Sequence, residues 1–210
     1  MKKIILIVIL LITLTGCTDI KHMDYNDILN DLSNNPTKAN IYRTGFKYYL
    51  PRGMNVENSR LCNEILSNKN NIYYLYIDLI GYNSKKVKMK TPNNDSYYSQ
   101  NINNNGKKGY VEIKTLENEK YLIEIMYNYA KIEVIVEEKD IKESLMYSIK
   151  ILSSIKYNGK VIKNLLNSNV LNYVEEEYNI FNTTKNDSTI KIDYNYKHEE
   201  EAKIDTDLIN

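Results

Sequence analysis

Three consecutive segments in the middle of the chain alternate between apolar and polar residues, and this alternation limits the fold more than any other feature of the sequence. The segments are residues 110–115, 121–127 and 132–137. Because successive side chains of a strand point to opposite faces, a period of two indicates strands with one apolar face. The connections at 117–119 and 128–130 are short and contain asparagine, which is typical of hairpin turns. The sequence therefore predicts an antiparallel meander with one packed face and one solvated face.

Further strands are predicted on the N-terminal side of the meander. Residues 72–80 are apolar on both faces, which indicates a central strand of the sheet. Residues 42–51 are rich in aromatic side chains and close with Pro51, which predicts a strand that runs into a turn. The pattern of residues 60–66 is also compatible with a strand.

A helix is predicted to follow the meander. Asp140 is placed to cap it, Glu143 stands three residues later as in a capping box, and the helix is expected to end near residues 158–159. Its apolar stripe consists of Ile141, Leu145, Ile149 and Leu152. Shorter helices are predicted at 161–166 and, after Asp24, from Tyr25 to Leu32. Strands and helices together predict an α+β fold.

The N-terminus has the pattern of a secretory signal. Lys2 and Lys3 precede an apolar stretch over residues 4–14, which is well short of the roughly 20 residues that a membrane-spanning helix needs. The residues that follow resemble the lipobox of bacterial lipoproteins, and they are Leu14, Thr15, Gly16 and Cys17. The resemblance implies that Cys17 receives a diacylglycerol, that signal peptidase II cuts before it, and that Cys17 becomes the new N-terminus. It also implies a bacterial protein that is held in the lipid bilayer by its acyl chains on the extracytoplasmic face of the cell membrane.

This signal sets the expected domain organisation. Cleavage of residues 1–16 leaves 194 of the 210 residues. Residues 17–40 are then a lipidated tether with a short helix, residues 41–168 an α+β globular domain, and residues 169–210 a C-terminal extension with an acidic, partly disordered tail. Within the extension, alternation from Ile190 to Tyr196 is compatible with one more strand.

The composition excludes several classes of protein. The chain has 28 Lys and Arg against 27 Asp and Glu, so bulk charge does not favour a nucleic-acid partner. Two cysteines cannot form a disulfide scaffold or a four-cysteine zinc site, and seven glycines without a phosphate-binding motif favour no nucleotide cofactor. His22 and His198 have no second ligand at a recognisable spacing, so no metal site is expected. Cys62 is read as a buried small hydrophobe, with a reactive thiol as the alternative.

The order of the elements resembles that of the domain shared by PsbP and Mog1, which also occurs in bacterial lipoproteins. The resemblance covers about residues 42–157, from the early strand that ends in residues 50–54 to the helix that ends in residues 153–156. It implies a twisted antiparallel sheet flanked by helices, as in a PsbP/Mog1-like sandwich, and a role in assembly or partner binding. No chemical motif accompanies it, and fold does not determine function.

Two groups of charged residues are candidates for function. Glu112, Glu124, Glu133 and Glu137 lie on the polar face of the meander, where they would act as paired catalytic carboxylates or simply as solvated side chains. Lys85, Lys86, Lys88 and Lys90 form a basic cluster that would contact anionic lipid headgroups or protect a solvated edge strand.

Tyrosine is the third candidate feature, with 20 tyrosines in the chain and several close together between residues 48 and 98. These rings offer rigid surface for a partner or a sugar, although tyrosine is also an ordinary strand residue. Taken together, the sequence predicts a non-enzymatic envelope lipoprotein that binds or assembles with an unknown envelope protein. The alternatives are a solute- or glycan-binding lipoprotein and a carboxylate-based hydrolase.

Overall fold

A computed structural model describes residues 20–33, 38–69, 71–104 and 106–168. The lipobox, His198 and the extension from residue 169 lie outside these described residues, so the predictions made for them stay predictions. Within these ranges there are ten strands, which are β1 (Ile41–Arg43), β2 (Phe46–Tyr48), β3 (Met54–Ser59), β4 (Asn63–Asn68), β5 (Asn71–Ile77), β6 (Tyr98–Asn104), β7 (Lys107–Thr115), β8 (Lys120–Tyr127), β9 (Ala130–Glu137) and β10 (Lys156–Tyr157). The same ranges contain four α-helices, which are α1 (Tyr25–Asn30), α2 (Leu79–Ser84), α3 (Ile141–Ser154) and α4 (Gly159–Asn167).

The strands form a seven-stranded and a three-stranded sheet, and every pairing is antiparallel. The large sheet has the order β3-β4-β5-β9-β8-β7-β6, and the small sheet has the order β1-β2-β10. The predicted α+β fold with an antiparallel sheet flanked by helices is confirmed. The meander β7-β8-β9 is confirmed too, and β5 lies between β4 and β9 as a central strand.

The hydrophobic core lies between the large sheet and α3. Alternate residues of the central strands are fully buried on this inner face, including Ile123, Val134 and Leu75. The helix contributes Leu145 and Ile149, and the Tyr73 hydroxyl donates to Ser144 Oγ at 3.0 Å across the sheet–helix interface. Full burial of one such side chain contributes about 1.5–3 kcal/mol, so this interface dominates the stability of the fold.

Helix α1 packs into the same core. Ile28 is fully buried and Leu29 is less than a tenth exposed, as is Leu32 in the 3₁₀ turn Asp31–Ser33 that follows α1. The turn of 3₁₀-helix Ile20–His22, which precedes α1, contacts α3. The described part of the range 17–40 is therefore packed against the domain by its apolar residues.

A buried carboxylate joins the small sheet to the large one. Glu64 on β4 is 2% exposed and accepts hydrogen bonds from Arg43 Nε at 2.6 Å, from Ser59 Oγ at 3.2 Å and from the Tyr48 hydroxyl. A buried charge that lost these donors would be strongly destabilising, so the group fixes β1 and β2 against β4.

Two predicted strands differ in the structure from their sequence patterns. The strand predicted over 72–80 ends at Ile77, because Asp78 accepts a hydrogen bond from Gly81 N at 2.7 Å and starts α2. The strand predicted over 42–51 is two strands, since Gly45 with a φ of +90° makes a tight turn between β1 and β2. Strands β3 and β6 had no clear signal in the sequence.

Helix α3 is shorter than predicted, and its capping box is absent. Asp140 makes no capping hydrogen bond through its side chain, and Glu143 instead accepts from the Tyr147 hydroxyl at 3.2 Å. The helix ends at Ser154 rather than near residue 158, because residues 156–157 pair with β2. The short helix predicted at 161–166 is confirmed as α4, which Asn158 caps through Val161 N at 3.3 Å. Among the described residues, no helix has both the length and the apolar character needed to cross a membrane.

Candidate functional site

The predicted carboxylates form a row on the outer face of the large sheet, which is the face opposite α3. Glu112 on β7 pairs directly with Glu124 on β8, and Glu124 pairs with Glu133 on β9. Side chains at such directly paired positions are about 5 Å apart. The three glutamates are only 5–7% exposed, so the structure brings together three of the four predicted carboxylates in a buried row.

Lysines neutralise this carboxylate row. Lys90 Nζ lies 2.6 Å from Glu124 Oε2 and 3.6 Å from Glu112 Oε2. Lys114 Nζ is 3.3 Å from Glu112 Oε2, and Lys131 Nζ is 3.0 Å from Glu133 Oε1. Buried charges persist only when they are paired in this way.

A chain segment covers the row, and it is called here the covering segment (residues 88–96). Besides Lys90, it contributes Ser96, whose Oγ donates to Glu112 Oε1 at 2.9 Å. Asn93 N donates to Ser99 Oγ at 3.3 Å, which holds the segment beside β6. The prediction that this face of the meander is solvated is therefore wrong at its centre, because a segment distant from these strands in sequence excludes water from it.

The pKa values of two neighbouring glutamates of the row are shifted in opposite directions. Burial acts to raise the pKa of Glu124, but the hydrogen bonds from Lys90 and from the Tyr110 hydroxyl outweigh it and hold this pKa below its ordinary value. Burial raises the pKa of Glu133, and Lys131 compensates only in part. Burial, followed by the charge of Glu124, also raises the pKa of Tyr110. The row therefore favours one firmly ionised carboxylate beside one that is readily protonated.

The fourth predicted carboxylate does not belong to the row. Glu137 lies at the exposed end of β9, and its Oε2 is 2.6 Å from Lys139 Nζ. The hydrogen bonds and charge of Lys139 lower the pKa of Glu137. A catalytic pair would need an acid and a base that both reach a substrate, whereas here each buried glutamate contacts a lysine and the covering segment lies above them.

The structure separates the four lysines of the basic cluster. Lys90 reaches the carboxylate row with its Nζ although 42% of its side chain is exposed, and Lys85, Lys86 and Lys88 are exposed as well. Lys85 has a φ of +59° at the end of α2 and lies 4.0 Å from the centre of the Tyr82 ring. Lys88 lies 5.7 Å from the Tyr76 ring. These residues are not in a strand, so the edge-strand interpretation is wrong, and membrane contact by the exposed three stays a prediction.

Beside the row lies a partly exposed apolar surface that sequence reasoning missed, called here the apolar strip (Ile65, Ile72, Tyr74 and Ile135). Ile65 pairs with Tyr74, which pairs with Glu133 in turn, so the strip continues the carboxylate row onto β5 and β4. Ile72 is 41% exposed, and the other three are half-buried. The signal in the sequence is the apolar character of both faces of residues 72–80, which indicates a central strand and is also compatible with an exposed apolar face.

The tyrosines divide into a buried group and surface clusters. Tyr48, Tyr73 and Tyr127 belong to the core. The surface cluster called here the tyrosine patch consists of Tyr25, Tyr97, Tyr98 and Tyr121. Its ring centres lie 4.6 Å apart for Tyr25 and Tyr98 and 4.9 Å apart for Tyr97 and Tyr121, and Tyr97 is 45% exposed. A second cluster joins Tyr82, Tyr129 and Tyr157, with Tyr82 and Tyr157 stacked at 4.3 Å.

The remaining candidates lie apart from these sites. Cys62 is 5% exposed and belongs to the core, as predicted for a small hydrophobe, and His22 is on the surface. Within the described ranges, no group of three or more His, Cys, Asp or Glu side chains is arranged to hold a metal ion. A comparison with models of protein families finds no match, and a comparison with curated proteins finds no significant one.

Proposed function

We propose that the chain is a bacterial lipoprotein, anchored through Cys17 on the extracytoplasmic face of the cell membrane, whose domain binds another protein of the cell envelope without catalysing a reaction. The lipobox at residues 14–17 supports the anchor, since a diacylated cysteine gives stable membrane attachment. The observation that carries the binding role is the apolar strip. It is contiguous across three neighbouring strands, and contiguous exposed apolar surface marks interaction sites more often than scattered apolar residues do.

The neighbourhood of the strip supports a protein partner. The carboxylate row beside it is already neutralised by its own lysines, so a partner that covers the strip buries few uncompensated charges. Tyr74 contributes a rigid ring with a polar tip, which is enriched in protein interfaces. A covered, paired carboxylate row supports a structural role for the glutamates over the role of a hydrolase.

Site-specific crosslinking in cells tests this function. A photo-crosslinking amino acid replaces Ile72, and in a matched strain it replaces Tyr42, which is 61% exposed but lies on β1 outside the strip. We expect a covalent adduct with one envelope protein from position 72 and none from position 42. Adding Ile135→Asp to the first strain should abolish the adduct, because a charge then replaces the apolar side chain that β9 contributes to the strip.

Two results would contradict the proposed partner binding. One is equal labelling from positions 72 and 42, which would mean random collision. The other is an adduct that persists in the strain with Ile135→Asp, which would mean that the strip does not form the contact.

A further inference from the structure

We infer that the tyrosine patch lies against the lipid bilayer and orients the anchored domain, with its rings in the headgroup region. The inference rests on the proposed lipid anchor at Cys17. It replaces the lysine cluster as the membrane-facing surface, and it commits to one occupant, which is the surface of the membrane that holds the anchor.

The first support is the short chain between the anchor and the packed domain. Only two residues separate Cys17 from Ile20, and the three steps along the chain from one to the other span at most about 11 Å. Ile20 packs against the core, and the turn Ile20–His22 contacts α3. The part of the surface around this turn is therefore held near the bilayer.

The second support is the position of the patch relative to that turn. Tyr25 follows Ile20 by five residues and begins α1, and the other three rings of the patch gather around Tyr25. Tyr97 and Tyr98 lie 6.5 and 4.6 Å from the Tyr25 ring, centre to centre. By register, Tyr98 and Tyr121 point to the inner face of the sheet, on the side of the helices. The covering segment with its lysines lies on the other face, so the thickness of the sheet separates it from the turn Ile20–His22.

The third support is the chemistry of the patch. Tyrosine has an apolar ring and a polar tip, and this combination favours the membrane–water interface. Lys142 Nζ is 5.7 Å from the Tyr25 ring, while Glu138 and Asp24 also act electrostatically on the rings. Since charges of both signs surround the patch, burial of the rings and not attraction to anionic lipid drives the contact. The contact should therefore be insensitive to salt.

The absence of tryptophan from the chain allows a direct test. The full mature protein with Tyr97→Trp is reconstituted in phosphatidylcholine–phosphatidylglycerol vesicles, with and without lipids brominated near the headgroup. The matched control carries Ile72→Trp, because Ile72 is similarly exposed, at 41% against 45%, but lies on the outer face. We expect several-fold stronger quenching by brominated lipid for Tyr97→Trp than for Ile72→Trp, and the same quenching in 0.5 M salt.

A second measurement uses the unsubstituted protein, so that the test does not depend on the folding of one variant. Hydroxyl-radical labelling of Tyr97 should be several-fold lower in vesicles than in the chain with Cys17→Ser. Labelling of Met89, which is 44% exposed on the covering segment, should be equal in both.

The mass of the N-terminal peptide of the same preparation separates the two possible failures. If Cys17 is acylated and Tyr97 is neither quenched nor protected, the inference is overturned and the anchor stands. If Cys17 carries no lipid, both the anchor and the inference are overturned. Quenching that disappears in 0.5 M salt would overturn the role of the rings in favour of charge attraction.

Discussion

Glu124 shows how one residue depends on surroundings that its own strand does not provide. It is buried on β8, between Glu112 and Glu133, and its neighbours in the row carry the same charge. Lys90 reaches it from a position 34 residues earlier in the chain, and the Tyr110 hydroxyl donates to its other oxygen. The ionised form of Glu124 is stable because these two donors replace the water that burial removes.

Removal of the Lys90 charge should destabilise the protein. Lys90→Gln leaves Glu124 ionised and buried with only one strong hydrogen-bond donor. Because the side chain of Lys90 is itself 42% exposed, we expect a loss of only about 1–2 kcal/mol in the free energy of unfolding. Urea unfolding at pH 7 measures this loss. The control Lys86→Gln changes an exposed lysine of the same cluster and should remain within about 0.5 kcal/mol of the unsubstituted protein. Equal effects of the two changes would contradict the ion pair.

The pH dependence of stability should differ in sign between Glu124 and Glu133. The pKa of Glu124 is lowered by folding, so its contribution is fully present above the ordinary value of 4.5 and is lost as the pH falls through the lower folded value. The pKa of Glu133 is raised by folding. Its contribution to the free energy of unfolding therefore increases as the pH falls through this raised value.

Unfolding of Glu124→Gln and Glu133→Gln between pH 7 and pH 3 measures this difference. The stability advantage of the unsubstituted protein over Glu124→Gln should shrink as the pH falls, and its advantage over Glu133→Gln should grow. Glutamine has nearly the same shape as glutamate, so both variants remove the charge and keep the shape of the side chain. Changes of the same sign for both would show that the row titrates as one group.

At the scale of the elements, the hairpin turns of the meander depend on residues other than glycine in left-handed conformations. Asn118 and Glu119 have φ values of 57° and 56°, and Asn128 and Tyr129 have values of 51° and 67°. Turns with two such residues match the twist of the strands, but a side chain in this region costs about 1 kcal/mol unless it is Asn, Asp or Gly. Tyr129 offsets this cost by packing edge-on against Tyr82 at 5.6 Å.

Glu119 has no such compensation, so Glu119→Gly should stabilise the protein. The side chain is exposed, and glycine removes the strain of its positive φ, so a gain of about 0.5–1 kcal/mol is expected. Thermal unfolding measures this gain as a higher Tm. The control Glu117→Gly lies in the same loop without a positive φ and should give a lower Tm or no change. A lower Tm for Glu119→Gly would contradict the turn geometry.

The ends of elements show the limit of local patterns. Residues 72–80 alternate as one strand, yet the strand stops at Ile77 because Asp78 is buried and binds Gly81 N. The helix predicted to end near residues 158–159 stops at Ser154, because residues 156–157 join the small sheet. In the first case a helix cap overrides the alternation of the strand, and in the second a tertiary strand pairing ends the helix.

At the scale of the whole molecule, the proposed function gives the two cysteines separate roles. Cys17 is the acceptor for the acyl chains in the proposed lipoprotein, whereas Cys62 is buried in the core. Each buried CH₂ of an acyl chain contributes about 0.8 kcal/mol to membrane binding, so two chains hold the protein firmly.

Substitution of each cysteine should therefore affect a different property. Cys17→Ser removes the lipid acceptor and should move the protein from the membrane fraction to the soluble fraction of fractionated cells. Cys62→Ser should leave the protein in the membrane fraction and lower the free energy of unfolding by about 1–3 kcal/mol, since it buries a hydroxyl in the core. Membrane association of Cys17→Ser would contradict the lipid anchor.

The sequence by itself determined the α+β class, the meander β7-β8-β9, the central position of β5 and helix α4, because each follows from periodicity or capping within one short segment. It also named Glu112, Glu124, Glu133 and Lys90 as candidates. Only the tertiary structure decided that Lys90 binds this carboxylate row, that Glu137 lies outside it, and that the apolar strip continues the row onto β5 and β4. These contacts join residues tens of positions apart, and their geometry depends on the order and register of the strands, which no local pattern encodes.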